Sequence, residues 1–326
     1  MGEARGSDAR IRASFGGPIG IYFTLSEFLR AAHFYNARMK FLDLLRMAER
    51  HSDSLLCVGL DPDPAKFPGQ YRNDASKIFD FCAAIVDATC DLAIAFKPQI
   101  AYFAAHRAED QLEKLMAHIR RTAAFVPVIL DAKRGDIGST AEQYAIEAFD
   151  RYGADAVTLS PFMGFDSLQP YLKRYGKGAF LLCRTSNLGG ADLQGQRLAS
   201  VAGQPMLFEY LAGLAQTTWN VNGQLGLVVG ATYPAEIERV RSLAPSLPLL
   251  IPGVGAQGGD ALATVKAGWR GTVSASGQRE TSAPILVNSS RAILYACDGD
   301  DFATAARIEA IKTRDLLNAG CHPASR

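Results

Sequence analysis

An acid, an amine and a second acid stand at the exit of one apolar run. Asp131, Lys133 and Asp136 follow Phe125-Val126-Pro127-Val128-Ile129-Leu130. The run reads as a buried strand, with Pro127 tolerable near its start. Side chains two apart on a strand share a face, so Asp131 and Lys133 are expected to point the same way, with Asp136 in the turn before a helix. Charges gathered there are expensive to desolvate and poorly suited to stabilising a fold, so chemistry is the better reason for them. Two further charges occupy comparable positions: Asp61 follows Val58-Gly59-Leu60, and Lys97 follows Ala95-Phe96. The competing reading is a structural ion network. Charges from three different strand ends, none on a helix surface, favour a reactive site.

A second kind of chemistry is written in Pro252-Gly253-Val254-Gly255-Ala256-Gln257-Gly258-Gly259. It contains a G-x-G-x-x-G match, but after the seventh apolar run rather than the first, which argues against a dinucleotide fold. A phosphate cradle fits better, with backbone N–H groups reaching an anion at the following helix N-terminus. Arg291, after Asn288-Ser289-Ser290, can add a bidentate charged grip. Ser186 follows Cys183-Arg184-Thr185 at another strand end, and residues 187–204 form a long polar connection, compatible with a cover over the site or with an ordinary surface loop.

These residues need a scaffold that brings many strand ends together. From residue 55 short apolar runs alternate with amphipathic stretches, at 55–60, 93–96, 126–130, 156–159, 179–183, 225–229, 249–251 and 285–287. Between them helical spacing recurs, as in Leu112, Leu115, Met116 and Ile119, and in Ala141, Tyr144, Ala145, Ala148 and Phe149. Near-continuous apolar strands alternating with helices predict a parallel α/β sheet, and eight such units predict a closed (β/α)8 TIM barrel in a single domain. A doubly wound sheet is the structural rival. In a barrel all the polar residues named above fall on the C-terminal face, where active sites are built.

The chain has 326 residues, 48% hydrophobic and 21% charged, with 34 Lys and Arg against 33 Asp and Glu. That composition supports a large core and excludes a global field for nucleic acid or an anionic membrane. No apolar run approaches the ~18 residues of a membrane span. The six cysteines form no C-x-x-C pair and read as free thiols in a reducing cytosol, and the five histidines show no metal-ligand spacing. Residues 1–38 read as an N-terminal extension outside the fold, residues 39–320 as the barrel, and residues 321–326 as a C-terminal tail.

The motif Asp-x-Lys-x-x-Asp, with Ile137 and Thr140 after it, resembles the signature of the orotidine 5'-phosphate decarboxylase family, in the wording of its longer bacterial subgroup. The resemblance runs over most of residues 39–318. It includes Gly59-Leu60-Asp61-Pro62, Phe96-Lys97-Pro98, Cys183-Arg184-Thr185-Ser186-Asn187, the Pro252–Gly259 segment and Arg291. It implies a homodimeric, cofactor-independent and metal-free cytoplasmic enzyme with shared active sites. Such an enzyme converts orotidine 5'-phosphate to UMP and carbon dioxide, the last step of pyrimidine synthesis. Carried over position by position, the resemblance makes Lys133, Asp131, Lys97 and Asp136 catalytic. Asp61 and Lys97 would contact the ribose, Asp131 would face the substrate carboxylate, and Lys133 would stabilise charge at C6 and deliver the proton. Asp136 and Thr140 would reach the partner's site, and Ser186 would read the pyrimidine edge. Gln257 and Arg291 would hold the phosphate, with Gln257 also able to touch the base, and Pro252 and Gly258 would be substrate-binding. Such an ammonium acts most strongly in a dry pocket, so Lys133 is expected to be sheltered. The nearest alternative is a Mg-dependent sugar-phosphate decarboxylase or aldolase on the same barrel. Its second-strand residue is acidic, where this chain has Lys97, which would repel the cation.

Overall fold

The computed structural model describes residues 11–13, 21–23, 39–254, 259–274 and 279–321. Contacts divide the chain into residues Met1–Met39 and Lys40–Arg326. In the first unit Ile11–Ala13 pairs antiparallel with Ile21–Phe23. The second unit is the barrel.

Its eight strands fall on the eight apolar runs. They are β1 (Leu56–Leu60), β2 (Ala95–Pro98), β3 (Ile129–Arg134), β4 (Ala156–Leu159), β5 (Gly178–Arg184), β6 (Leu225–Val229), β7 (Leu249–Pro252) and β8 (Ile285–Ser289). All pair in parallel, in the order β2-β1-β8-β7-β6-β5-β4-β3. Isolated parallel bridges, Phe96 with Val128 and Gln99 with Asp131, join β2 to β3 and close the ring. A doubly wound sheet would leave two free edges there. Pro127 explains why this last seam is thin. It offers its carbonyl to Phe96 N at 3.0 Å but has no N–H to return, so only isolated bridges cross this seam, while regular pairing with β4 starts at Ile129. The third strand is therefore displaced from the expected 126–130 and carries Asp131 and Lys133 within it.

Strand alternation separates two cores. Cys57, Ala95, Ile129, Ala156, Phe180, Val228, Leu250 and Leu286 form one cluster with Phe41, Leu45 and Ala48 of the helix Phe41–Ser52. This is the barrel interior, with the helix packed into it. The residues between, such as Val58, Phe96, Leu130, Val157 and Leu181, pack with the surrounding helices. Among those helices, Glu109–Thr122 buries Leu112, Leu115, Met116 and Ile119, and Gly138–Ile146 buries Ala141 and Ala145, as their spacing predicts. The antiparallel ribbon of Gly271–Val273 and Arg279–Thr281, inserted before β8, has no counterpart in the sequence reading, because two three-residue strands carry no usable periodicity.

The ribbon meets the helix Phe41–Ser52 at a buried acid. Glu49 is 3% exposed and faces Arg279, with Trp269, Arg50 and Asp53 around it. Burial pushes its carboxyl from 4.5 up to about 7, against the pull of the Arg279 guanidinium. A carboxyl raised in this way binds more protons folded than unfolded. Its stabilising contribution is complete below about pH 4.5 and is lost as pH rises to about 7. Glu49→Gln, neutral throughout, should therefore lose this decline, gaining Tm relative to the parent protein as pH rises from 4.5 to 8. Thermal melts across that range check it, and parallel pH curves for the two proteins would refute it.

Candidate active site

The interior positions of the strands continue upward by two residues into the site. Ala95 leads to Lys97, Ile129 to Asp131, Ala156 to Thr158, Phe180 to Leu182, Leu250 to Pro252 and Leu286 to Asn288. Each first member belongs to the barrel-interior cluster, and each second member lines a cavity of about 420 Å³ at the strand C-terminal ends. Asp61, Lys133, Thr185, Ser186, Asn187, Val228 and Leu250 complete the lining.

The Asp131 carboxylate is the hub. Its Oδ2 accepts from Lys97 Nζ at 2.9 Å, and its Oδ1 accepts from Lys133 Nζ at 2.6 Å and from Thr158 Oγ1 at 2.8 Å. Burial favours the neutral acid, but the Lys97 and Lys133 ammoniums outweigh it and hold Asp131 well below the usual carboxylate range. Lys97, 4% exposed, is disfavoured as a cation by burial, yet Asp131 and Asp61 hold it above the usual lysine range. The pair is thus ionised in both members.

Asp131 and Lys133 converge as the sequence indicates, but not by regular pleating. Pairing with β4 loses register between Leu130 and Arg134, and Lys133 has φ +47°, in the left-handed region that a long side chain adopts only under constraint. The bulge turns the Lys133 side chain outward to 46% exposure, against 6% for Lys97 and 10% for Asp131. The expectation of a sheltered Lys133 is therefore corrected for the chain by itself. The bulge places its stem at the rim of the mouth, while Lys97 and Asp131 lie on the wall below.

Asp61 follows β1, the strand next to Lys97. Its Oδ2 accepts from Ser290 Oγ at 2.7 Å, and its backbone carbonyl accepts from Tyr295 Oη at 2.7 Å. Gly59 makes this approach feasible, since a Cβ there would lie 2.8 Å from Ser290 Cβ. Among the described residues Asp61 Oδ1 and Asn288 Oδ1 are buried acceptors without a donor, so the site has unmet demand for hydrogen-bond donors on this side. Thr185, which accepts from Gln194 Nε2 at 2.9 Å and donates to Asn187 at 2.6 Å, ties the connection after β5 to the mouth.

Not every anticipated residue joins the cavity. Asp136 is half-buried and accepts from the next residue's N–H at 2.8 Å, and Thr140 is exposed on the helix Gly138–Ile146. Arg291 is exposed at the start of the helix Arg291–Leu294 and is not among the lining residues. Gln257 and Gly258 lie outside the described residues. The expected anion seat at the helix after β7 is modified by Asp260. Its Oδ1 accepts from Ala263 N at 2.8 Å, placing a carboxylate at the positive end of Ala261–Gly268. Thr158, Asn288 and Ser290 were given no role from sequence. Their signal was available, since Thr158 and Asn288 follow interior positions by two residues.

Electrostatics separates two variants. Asp131→Ala strands a buried ammonium at Lys97 and should cost about 3–5 kcal/mol of stability. Lys133→Ala removes a half-exposed partner and should cost less than about 1 kcal/mol. Urea unfolding measures both, and equal losses would contradict this division.

Residues 54–301 match the family described as orotidine 5'-phosphate decarboxylase / HUMPS. The chain is 76% identical over 281 residues to the orotidine 5'-phosphate decarboxylase of Polaromonas naphthalenivorans, covering 86% of this chain and 96% of that protein. It is 75% identical over 287 residues to that of Albidiferax ferrireducens, covering 88% and 100%. Among solved structures, Leishmania donovani OMP decarboxylase aligns with a TM-score of 0.72 at 38% identity, covering 88% of this chain and all of that one (100%). Leishmania donovani UMP synthase aligns at 0.70 and 40% identity, covering 86% of this chain and 57% of that one.

Proposed function

This chain belongs to the orotidine 5'-phosphate decarboxylase / HUMPS family, and on that premise we propose that it converts orotidine 5'-phosphate to UMP and carbon dioxide. The observation that carries this reading is the Lys97–Asp131–Lys133 array at the cavity mouth, with Asp131 held ionised between two ammoniums. The C6–carboxylate bond breaks, its electron pair remains on C6, and Lys133 Nζ stabilises that charge and then gives C6 its proton. Asp131 repels the departing carboxylate until it leaves as neutral carbon dioxide. Lys97 keeps Asp131 charged and fixed.

The remaining residues serve binding. The unpartnered acceptors of Asp61 and Asn288 suit ribose hydroxyls, which bring the missing donors. Ser186 reads the pyrimidine edge. Gln257 and Arg291 hold the phosphate, Pro252 and Gly258 contact the substrate, and phosphate binding supplies energy that positions the distant ring. Residues 39–320 form the decarboxylase unit, and the setting is the cytoplasm, in keeping with six free thiols.

The magnesium-dependent alternative has less support. Lys97 lies against Asp131 where that chemistry needs an acid, and no cluster of three His, Cys, Asp or Glu side chains suited to a metal occurs among the described residues. Following orotidylate absorbance should show turnover unchanged by EDTA in the parent protein and near-zero turnover for Lys133→Ala. Equal rates in the two proteins would defeat the mechanism.

The active form is a homodimer in which Asp136 and Thr140 of each subunit complete the other's site, covering Lys133. Their position outside the cavity of their own chain is consistent with this, as is the 52% exposure of Ile137 between them. Separately inactive Lys133→Ala and Asp136→Ala proteins, mixed and re-equilibrated, should then recover roughly a quarter of full activity, because half the dimers are mixed and each holds one intact site. No recovery, with subunit exchange verified, would count against shared sites.

A further inference from the structure

We propose that Thr158 is a positioning residue for the reaction, its hydroxyl clamping the Asp131–Lys133 bulge into the geometry that the chemistry uses. The inference rests on the decarboxylase reading and deepens it.

Thr158 lies on β4 and is 1% exposed. Its Oγ1 accepts two backbone N–H groups of the neighbouring strand, Ala132 N and Lys133 N, each at 3.0 Å. With its acceptor side occupied, the hydroxyl has one proton to direct, and it points to Asp131 Oδ1 at 2.8 Å. One oxygen therefore touches three consecutive residues of the motif strand. It accepts from the peptide N–H groups before and after Ala132 and donates to the side chain of the residue before.

The bulge needs such a clamp. Where β3 and β4 lose register, ladder bonds cannot satisfy the Ala132 and Lys133 N–H groups, and Thr158 supplies the acceptor that the ladder lacks. The same bonds hold Lys133 at φ +47°. A second restraint follows at once: Arg134 is held by Glu147 through a forked pair, Nε to Oε2 at 3.0 Å and Nη2 to Oε1 at 2.9 Å. Lys133 is thus fixed from both sides along the chain, although its side chain is half exposed. Mobility of that ammonium would otherwise spread it over positions unproductive for C6, and an error of ~1 Å in such a group can lower a rate by ~100-fold.

The decisive comparison is Thr158→Val, which keeps the shape and removes the hydroxyl, against Thr158→Ser, which keeps the hydroxyl. For Thr158→Val, kcat on orotidylate should fall roughly 10- to 100-fold with KM changed less than about 3-fold. The acid limb of its kcat–pH profile should move to higher pH, because the Asp131 carboxylate loses a donor. Thr158→Ser should restore both kcat and the limb. If Thr158→Val does not fold, Thr158→Ala, too small to overpack the site, is read by the same criteria. A parent-like kcat and pH profile in the hydroxyl-free variant, or a serine variant as impaired as valine, would overturn the proposal. So would a loss confined to Tm and active fraction with an unmoved limb, since that marks a purely structural residue. A parent protein inert toward orotidylate would instead refute the decarboxylase reading itself.

Discussion

A carboxylate that must stay charged in a nearly dry wall constrains everything around it. Asp131 could escape its desolvation cost by taking up a proton, and a lone buried acid would do so. Lys97 and Lys133 prevent this, one on each oxygen, and Lys97 is in turn retained as a cation only because Asp131 and Asp61 face it. The charges are mutually dependent: none of the buried members is tolerable without its neighbour. This makes the array costly as a stabilising device and well suited to chemistry, since its field is set before a substrate arrives.

The barrel meets this requirement through geometry. Closing eight parallel strands brings the third layer of interior positions to one mouth, so that residues far apart in sequence become neighbours. Below them an apolar cluster runs from Cys57 and Ala95 round to Leu286, plugged by Phe41 and Leu45. Solvent therefore reaches the array from one side only. The weakest seam of the ring, at Pro127, lies directly below the strand that carries Asp131 and Lys133, and the same strand then bulges at Lys133. The irregular part of the sheet carries Lys133; there Thr158 replaces an acceptor that the ladder gives up, and Glu147 holds the side chain of the next residue.

Family membership and fold agree with this chemistry from independent directions. The family match spans residues 54–301, and the strands and the cavity wall fall inside it. Within that span the chain places a cation, Lys97 on β2, directly against Asp131 on β3.

Local pattern by itself determined the eight strands, the barrel class and the identity of the Asp131, Lys133, Lys97 and Asp61 array. Alternation and helical spacing are properties of neighbouring residues, and charges at strand ends stand out against apolar runs. Tertiary structure alone decided how the ring closes across Pro127, which oxygen of Asp131 each lysine takes, and that Lys133 reaches its partner through a left-handed bulge rather than a regular pleat. It also decided that Asp136, Thr140 and Arg291 stand apart from the cavity of their own chain. These are distances between strands. They follow from the shear and stagger of a closed sheet, which no stretch of sequence encodes on its own.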